Sequence, residues 1–129
     1  MISGSCLCGA VALNVGSAPT DVTACNCKAC RKLGPLWAYY DPAEVAITGL
    51  TVGYERHDIE GQNGPMLAFH HCATCGCVTH WADLTPGRRR MAVNASLLDP
   101  EIVDAARVWR IDGPGSNEAL DNEALDDGQ

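Results

Sequence analysis

Pro65-Met66-Leu67-Ala68-Phe69-His70-His71 and Cys77-Val78-Thr79-His80-Trp81 flank the motif Cys72-Ala73-Thr74-Cys75-Gly76. Both flanks are short and bounded by turn residues, so each reads as a strand. The motif between them has the spacing of a zinc knuckle. One tight turn presents two sulfurs to a single metal, and the glycine lets the backbone turn its N–H groups towards them. The segment is therefore predicted to be a hairpin with a metal-binding tip.

Two further cysteine clusters lie upstream. Cys6-Leu7-Cys8-Gly9 also ends in glycine. On a flat strand the sulfurs of residues two apart are too distant for one metal, because each Zn–S bond is ~2.3 Å, so the chain is expected to bend at Leu7 to Gly9. Joining this cluster to the hairpin tip would cross-link the N-terminal strand to the middle of the chain, a structural role. Cys25-Asn26-Cys27-Lys28-Ala29-Cys30 packs three thiols into six residues. Ligands from one turn grip a metal from one side and leave the other side open. Arg31 and Lys32 follow directly, and cations there lower thiol pKa values and attract an anionic ligand. They are candidate substrate-binding residues, or else a solvated helix surface.

Seven of the eight cysteines belong to these clusters. Four thiolates close a tetrahedral zinc site, and three leave a second zinc with an open position. An open position can take a thiol or polarise a carbonyl, which is the main sequence argument for an enzyme. The expectation is two zincs per chain, with Cys25, Cys27 and Cys30 as the catalytic set. One zinc with redox-active spare thiols is the alternative. Disulfides are disfavoured by the strain of Cys-x-Cys rings. Cys77, the eighth cysteine, is expected to be a small buried hydrophobe. His57, His70, His71 and His80 are lesser candidates as ligands, and His70 and His71 should point to opposite faces of their strand.

The 129 residues suit one domain, with 13 glycines and seven prolines favouring turns and short strands. The net charge of −7 argues against nucleic acid and against anionic membranes. No apolar stretch is long enough to span a bilayer. Met1-Ile2-Ser3-Gly4 lacks the features of a signal peptide, so a cytoplasmic, thiol-reducing location is expected. Strands are predicted over 10–15, 36–40, 45–48, 51–56 and 91–95, with a short helix over 27–33 stopped by Gly34-Pro35. Residues 57–64 read as a loop, 102–111 as a short helix and then a strand, and Arg88-Arg89-Arg90 as a solvated turn. Asn117-Glu118-Ala119-Leu120-Asp121 repeats as Asn122-Glu123-Ala124-Leu125-Asp126. Residues 114–129 are read as an acidic, mobile tail with at most a turn of helix, following a domain over 1–113.

Three stretches together carry a resemblance. They are Gly4-Ser5-Cys6-Leu7-Cys8-Gly9-Ala10-Val11, Cys25-Asn26-Cys27-Lys28-Ala29-Cys30-Arg31-Lys32-Leu33-Gly34 and Phe69-His70-His71-Cys72-Ala73-Thr74-Cys75-Gly76. In this order they resemble the glutathione-dependent formaldehyde-activating enzymes, the family of centromere protein V. Gly49, Tyr54, Val93-Asn94 and Leu97-Leu98-Asp99 add weaker matches. The chain departs from the usual pattern at Cys77-Val78 and His70. The resemblance implies a mainly β fold of the β-tent type, with short antiparallel sheets stapled by a structural zinc on Cys6, Cys8, Cys72 and Cys75. It implies a catalytic zinc on Cys25, Cys27 and Cys30. The implied activity is a carbon–sulfur lyase that joins glutathione, or a similar thiol, to formaldehyde or another small aldehyde. A zinc-stapled binding module and a thiol redox or metal sensor are the rival readings, and a homodimer is compatible with the sheet content.

Overall fold

The computed structural model describes residues 2–61, 64–85, 87, 89–111 and 123–124. In chain order the elements are β1 (Ile2–Ser5), β2 (Ala12–Val15), β3 (Asp21–Cys25), α1 (Lys28–Leu33), β4 (Trp37–Tyr40), β5 (Val45–Thr48), β6 (Thr51–Glu55), β7 (Glu60–Gly61), β8 (Gly64–Pro65), β9 (Leu67–Cys72), β10 (Val78–Asp83), β11 (Met91–Asn94), α2 (Pro100–Ala105), β12 (Arg107–Ile111) and β13 (Glu123–Ala124). Short 3-10 turns precede β5 and α2.

The protein is mainly β, as expected. A three-stranded antiparallel sheet has the order β1-β2-β5, and an eight-stranded sheet has the order β13-β12-β3-β4-β11-β10-β9-β6. Within the large sheet only the β12–β3 pair is parallel, among the described residues. The predicted hairpin is β9–β10, in register at Trp81 opposite Phe69, with an irregularity between Val78 and His80. The predicted helix-then-strand over 102–111 is α2 followed by β12. Three parts of the sequence reading are corrected. Residues 57–64 are not a plain loop, because β7 and β8 pair through Glu60–Pro65 and Gly61–Gly64. Asp21–Cys25 is a further strand, outside those predicted from the sequence pattern. In the tail, Glu123 and Ala124 pair with Arg110 and Trp109, and the rest of that segment lies outside the described residues.

Side chains alternate across the large sheet, so its two faces carry different cores. On one face Val22, Ala38, Met91 and Val93 meet Leu13 and Val15 of the small sheet, with Leu98 closing the layer. Ile102 and Val103 of α2 pack at its rim. On the other face Trp37, Phe69, Val78, Trp81 and Ala92 surround Cys27 and Cys30. A smaller cluster of Cys6, Val11 and Cys72 joins the small sheet to the hairpin tip.

Asn94 ties the large sheet together from within. Its Nδ2 donates to the Val78 carbonyl at 2.9 Å. Its Oδ1 accepts from the N–H groups of Leu36 and Ser96 at 3.2 and 3.1 Å. A buried amide with these partners satisfied is stable where an unpaired one would not be. His70 and His80 lie on neighbouring strands with rings stacked at 4.4 Å and nearly parallel. Burial, and then the charge of His70, lower the pKa of His80 to about 4.

Gly49 sits at φ 104° in the β5–β6 turn, with the Ala10 carbonyl in the space a Cβ would take. Gly49→Ala should cost about 1–3 kcal/mol in backbone strain, plus displacement of Ala10 and Val11, measured by denaturant unfolding. His80 has a folded pKa below its unfolded value, so the unfolded chain binds more protons as pH falls. Its neutral form therefore stabilises the fold fully above about pH 6.5, and this is lost progressively down to about pH 4. The difference in stability between the wild type and His80→Gln should change across that window and be flat above it.

Candidate functional site

The four sulfurs of Cys6, Cys8, Cys72 and Cys75 lie within 4.8 Å of one another. Cys6 and Cys8 are 3.7 Å apart at Sγ, as are Cys8 and Cys72. Two sulfurs bound to one tetrahedral zinc at ~2.3 Å are about 3.8 Å apart, so this spacing fits a shared metal and is far from a disulfide. The two arms have matching local structure. Gly9 N–H bonds the Cys6 carbonyl, and Gly76 N–H bonds the Cys72 carbonyl, at 3.1 and 3.0 Å. Both glycines have φ 84°, in the left-handed region that glycine adopts without strain.

Backbone N–H groups converge on these sulfurs. Val11 donates to Cys6, Ala10 to Cys8, and Thr74 and Cys75 both donate to Cys72, at 3.3–3.4 Å. Such donors favour the thiolate that a metal requires. The Cys75 thiol is pulled down to about 5, first by the Cys77 backbone N–H. Cys77 is half-buried rather than fully buried, and its sulfur accepts from Leu7 N–H at 3.3 Å. It supports the bend at Leu7 and lies outside the group of four sulfurs.

The second group is Cys25, Cys27 and Cys30, again with sulfurs within 4.8 Å. Cys25 ends β3, Cys27 caps α1, and Cys30 lies inside that helix. The Cys27 sulfur accepts from Cys30 N–H, and Gly34 stops the helix in the left-handed conformation. Trp37 Nε1–H donates to the Cys30 sulfur at 3.4 Å. Trp37 in turn meets Phe69 edge-on at 5.2 Å. Among themselves the three thiols concentrate negative charge on Cys27. Hydrogen bonds with Cys25 and then Cys30 hold its pKa well below the usual thiol range, while Cys25 and Cys30 are pushed up. A divalent cation would relieve this competition, and three thiolates with N–H support fit zinc.

Two residues outside the cysteine motifs lie near enough to this centre for their charges to be coupled to it. Arg56 follows β6 and is only 3% exposed. Its Nε and Nη2 donate to Asp58 at 2.8 and 2.7 Å, and the guanidinium lies 4.8 Å above the Phe69 ring. The Phe69 ring it covers packs around Cys27 and Cys30, and the positive charge of Arg56 adds, after the hydrogen bonds with Cys25 and Cys30, to the lowering of the Cys27 pKa. Tyr39 lies two residues beyond Trp37 on the same face of β4 and meets Trp81 edge-on at 6.1 Å. Desolvation, followed by the negative charge of Cys25 and Cys30, raises its phenol pKa to about 12, so it remains a donor at neutral pH.

The candidates from sequence are placed as follows. Arg31 and Lys32 lie exposed in the last turn of α1. Among the described residues no histidine joins either sulfur group. Arg90 is more than a solvated turn residue, because it pairs with Asp83 at 2.9 Å and covers Trp81. Arg56 and Tyr39 were missed because no motif marks them. Their role depends on which strand lies beside Cys27, and strand order is not local information.

This is a mainly β protein with one closed set of four sulfurs and one open set of three. The chain belongs to the family described as glutathione-dependent formaldehyde-activating enzyme, whose model matches residues 1–110. A crystal structure of a Rhodobacter sphaeroides protein is similar in fold, with a TM-score of 0.63 and 23% identity over 84% of this chain and 99% of that one. No curated protein matches.

The two centres should respond differently to substitution. Cys72→Ser should lower metal content by about one zinc per chain and unfold or strongly destabilise the domain. Cys27→Ser should lose about one zinc while leaving the thermal midpoint within a few degrees. Elemental analysis and calorimetry on the same preparations check both.

Proposed function

We propose that the chain is a zinc-dependent carbon–sulfur lyase that adds a glutathione-like thiol to formaldehyde or another small aldehyde at Cys25, Cys27 and Cys30. In this reading Cys6, Cys8, Cys72 and Cys75 hold a structural zinc, giving two metals per chain, and the enzyme works in the reducing cytoplasm. The observation that carries the proposal is the three-sulfur group, gathered on one face of the large sheet beneath an aromatic wall of Trp37, Phe69 and Trp81. Membership of a family described as formaldehyde-activating and glutathione-dependent supports it.

A zinc held by three thiolates supplies Lewis acidity and lowers the pKa of a thiol brought to it. The protein's own residues do the rest. Trp37 N–H fixes the Cys30 sulfur, and the wall of rings limits water around the reacting atoms. Tyr39 offers a hydroxyl donor to the oxygen of the aldehyde. In the addition a sulfur–carbon bond forms while the carbonyl π pair moves to oxygen. The proton lost by the thiol is regained at that oxygen, so nothing leaves. Leu33, Tyr54, Phe69 and Val78 border an open cavity of about 420 Å³, with room for the organic part of a small thiol.

Cobalt-substituted protein tests the reading. Glutathione or a small thiol should alter the spectrum of about one of two cobalt ions. The zinc form should accelerate formation of the S-hydroxymethyl adduct, followed by proton NMR, and Cys27→Ser should slow this about 100-fold or more. If neither thiols nor aldehydes perturb the cobalt spectrum, the enzyme reading fails and a zinc-stapled binding module takes its place.

A further inference from the structure

Arg56 stands apart from the other cations of this protein. It is the one Lys or Arg buried among the described residues, whereas Lys28, Arg31 and Lys32 of the adjoining helix are exposed. An exposed charge is screened by water and salt, but a buried one acts at nearly full strength. Burying a guanidinium is costly, so its placement needs compensation. Asp58 provides part of it with two hydrogen bonds. The Phe69 ring provides a second, at 4.8 Å. A guanidinium has five N–H bonds, and the fork to Asp58 uses two of them. The ring beneath the guanidinium packs around Cys27 and Cys30, which brings this buried charge to the edge of the three-sulfur group.

The charge balance of the three-cysteine centre gives this arrangement a purpose. Three thiolates on a divalent metal carry about one net negative charge, and an anionic fourth ligand would make it about two. Trp37, Phe69, Trp81 and Ala92 around the sulfurs carry no charge that could offset the second one. We propose that Arg56 is a positioning residue for the open centre, whose buried positive charge offsets the charge added by a thiolate ligand and thereby sets the affinity for the thiol. This rests on the thiol-binding reading above. Asp58 holds the guanidinium in register and, being less buried than Arg56, leaves part of its charge for the sulfur side.

The test compares an anionic and a neutral ligand on full-length, cobalt-loaded protein. Arg56→Gln should keep its metal content and weaken glutathione binding about 10- to 100-fold, read from the cobalt spectrum. Imidazole, a neutral ligand for the same open position, should change by less than about 3-fold, because no charge is added. Arg56→Lys should recover part of the loss, since it keeps the charge but not the fork. Should Arg56→Gln fail to fold, Asp58→Asn carries the test. It frees the guanidinium from its carboxylate and should tighten glutathione binding several-fold. Equal weakening of thiol and imidazole would make Arg56 a packing residue and overturn the inference, as would no change in either. Asp58→Asn without tighter thiol binding would overturn it too. If the wild type itself binds no thiol, the functional reading falls and this inference falls with it. Wild-type binding with a normal Arg56→Gln would remove the inference only.

Discussion

The rest of the structure depends on the meeting of two knuckles, Cys6 to Gly9 and Cys72 to Gly76, around one point. Their sulfurs lie 3.7 Å apart across the join, between segments that are otherwise distant in sequence. A zinc held there would contribute an apparent free energy of about 10–16 kcal/mol, comparable to the whole stability of a small domain. The contact also accounts for local features of both knuckles. The bend at Leu7 and the positive φ of Gly9 and Gly76 shape turns in which the N–H groups of Leu7, Ala10, Val11, Thr74 and Cys75 reach sulfur. The small sheet is thereby held against the tip of the β9–β10 hairpin, and the apolar core lies between the two sheets.

With that join in place, the large sheet has one face free for chemistry. Cys25, Cys27 and Cys30 come from a strand end, a helix cap and the helix itself, so three sulfurs are gathered from six residues of chain. Only the sulfurs are local. The wall around them comes from β4, β9 and β10, and the buried cation from the end of β6. A metal held from one side, with rings and a guanidinium around it, differs chemically from a metal enclosed by four sulfurs. In the first, ligands can exchange; in the second they cannot.

Much of the fold could be read locally. The β9–β10 hairpin and the Gly34 helix stop follow from alternation and glycine, signals that act over a few residues, whereas pattern alone does not mark where α2 gives way to β12. The β7–β8 ladder was missed because two-residue strands leave too little periodicity to detect. Asp21–Cys25 was missed for a different reason. It pairs in parallel with β12, and no turn signal announces a partner so far along the chain. The stacking of His70 on His80 likewise depends on the register between β9 and β10, which is irregular at that point.

By itself the sequence determined the mainly β class, the family and the grouping of seven sulfurs into four and three. The three cysteine clusters depend on spacing within a turn, which covalent geometry sets, whereas the joining of Cys6 and Cys8 to Cys72 and Cys75, 64 residues apart between Cys8 and Cys72, was implied by the family resemblance. Tertiary structure alone decided what surrounds the sulfurs. Arg56, the last residue of a predicted strand, was placed in a buried position over Phe69, whose ring packs around Cys27 and Cys30. Tyr39 was placed on the face of β4 that carries Trp37, near enough to the thiols to feel their charge. Electrostatics and burial depend on distance in space, and for residues on different strands that distance exists only once the sheet order has formed.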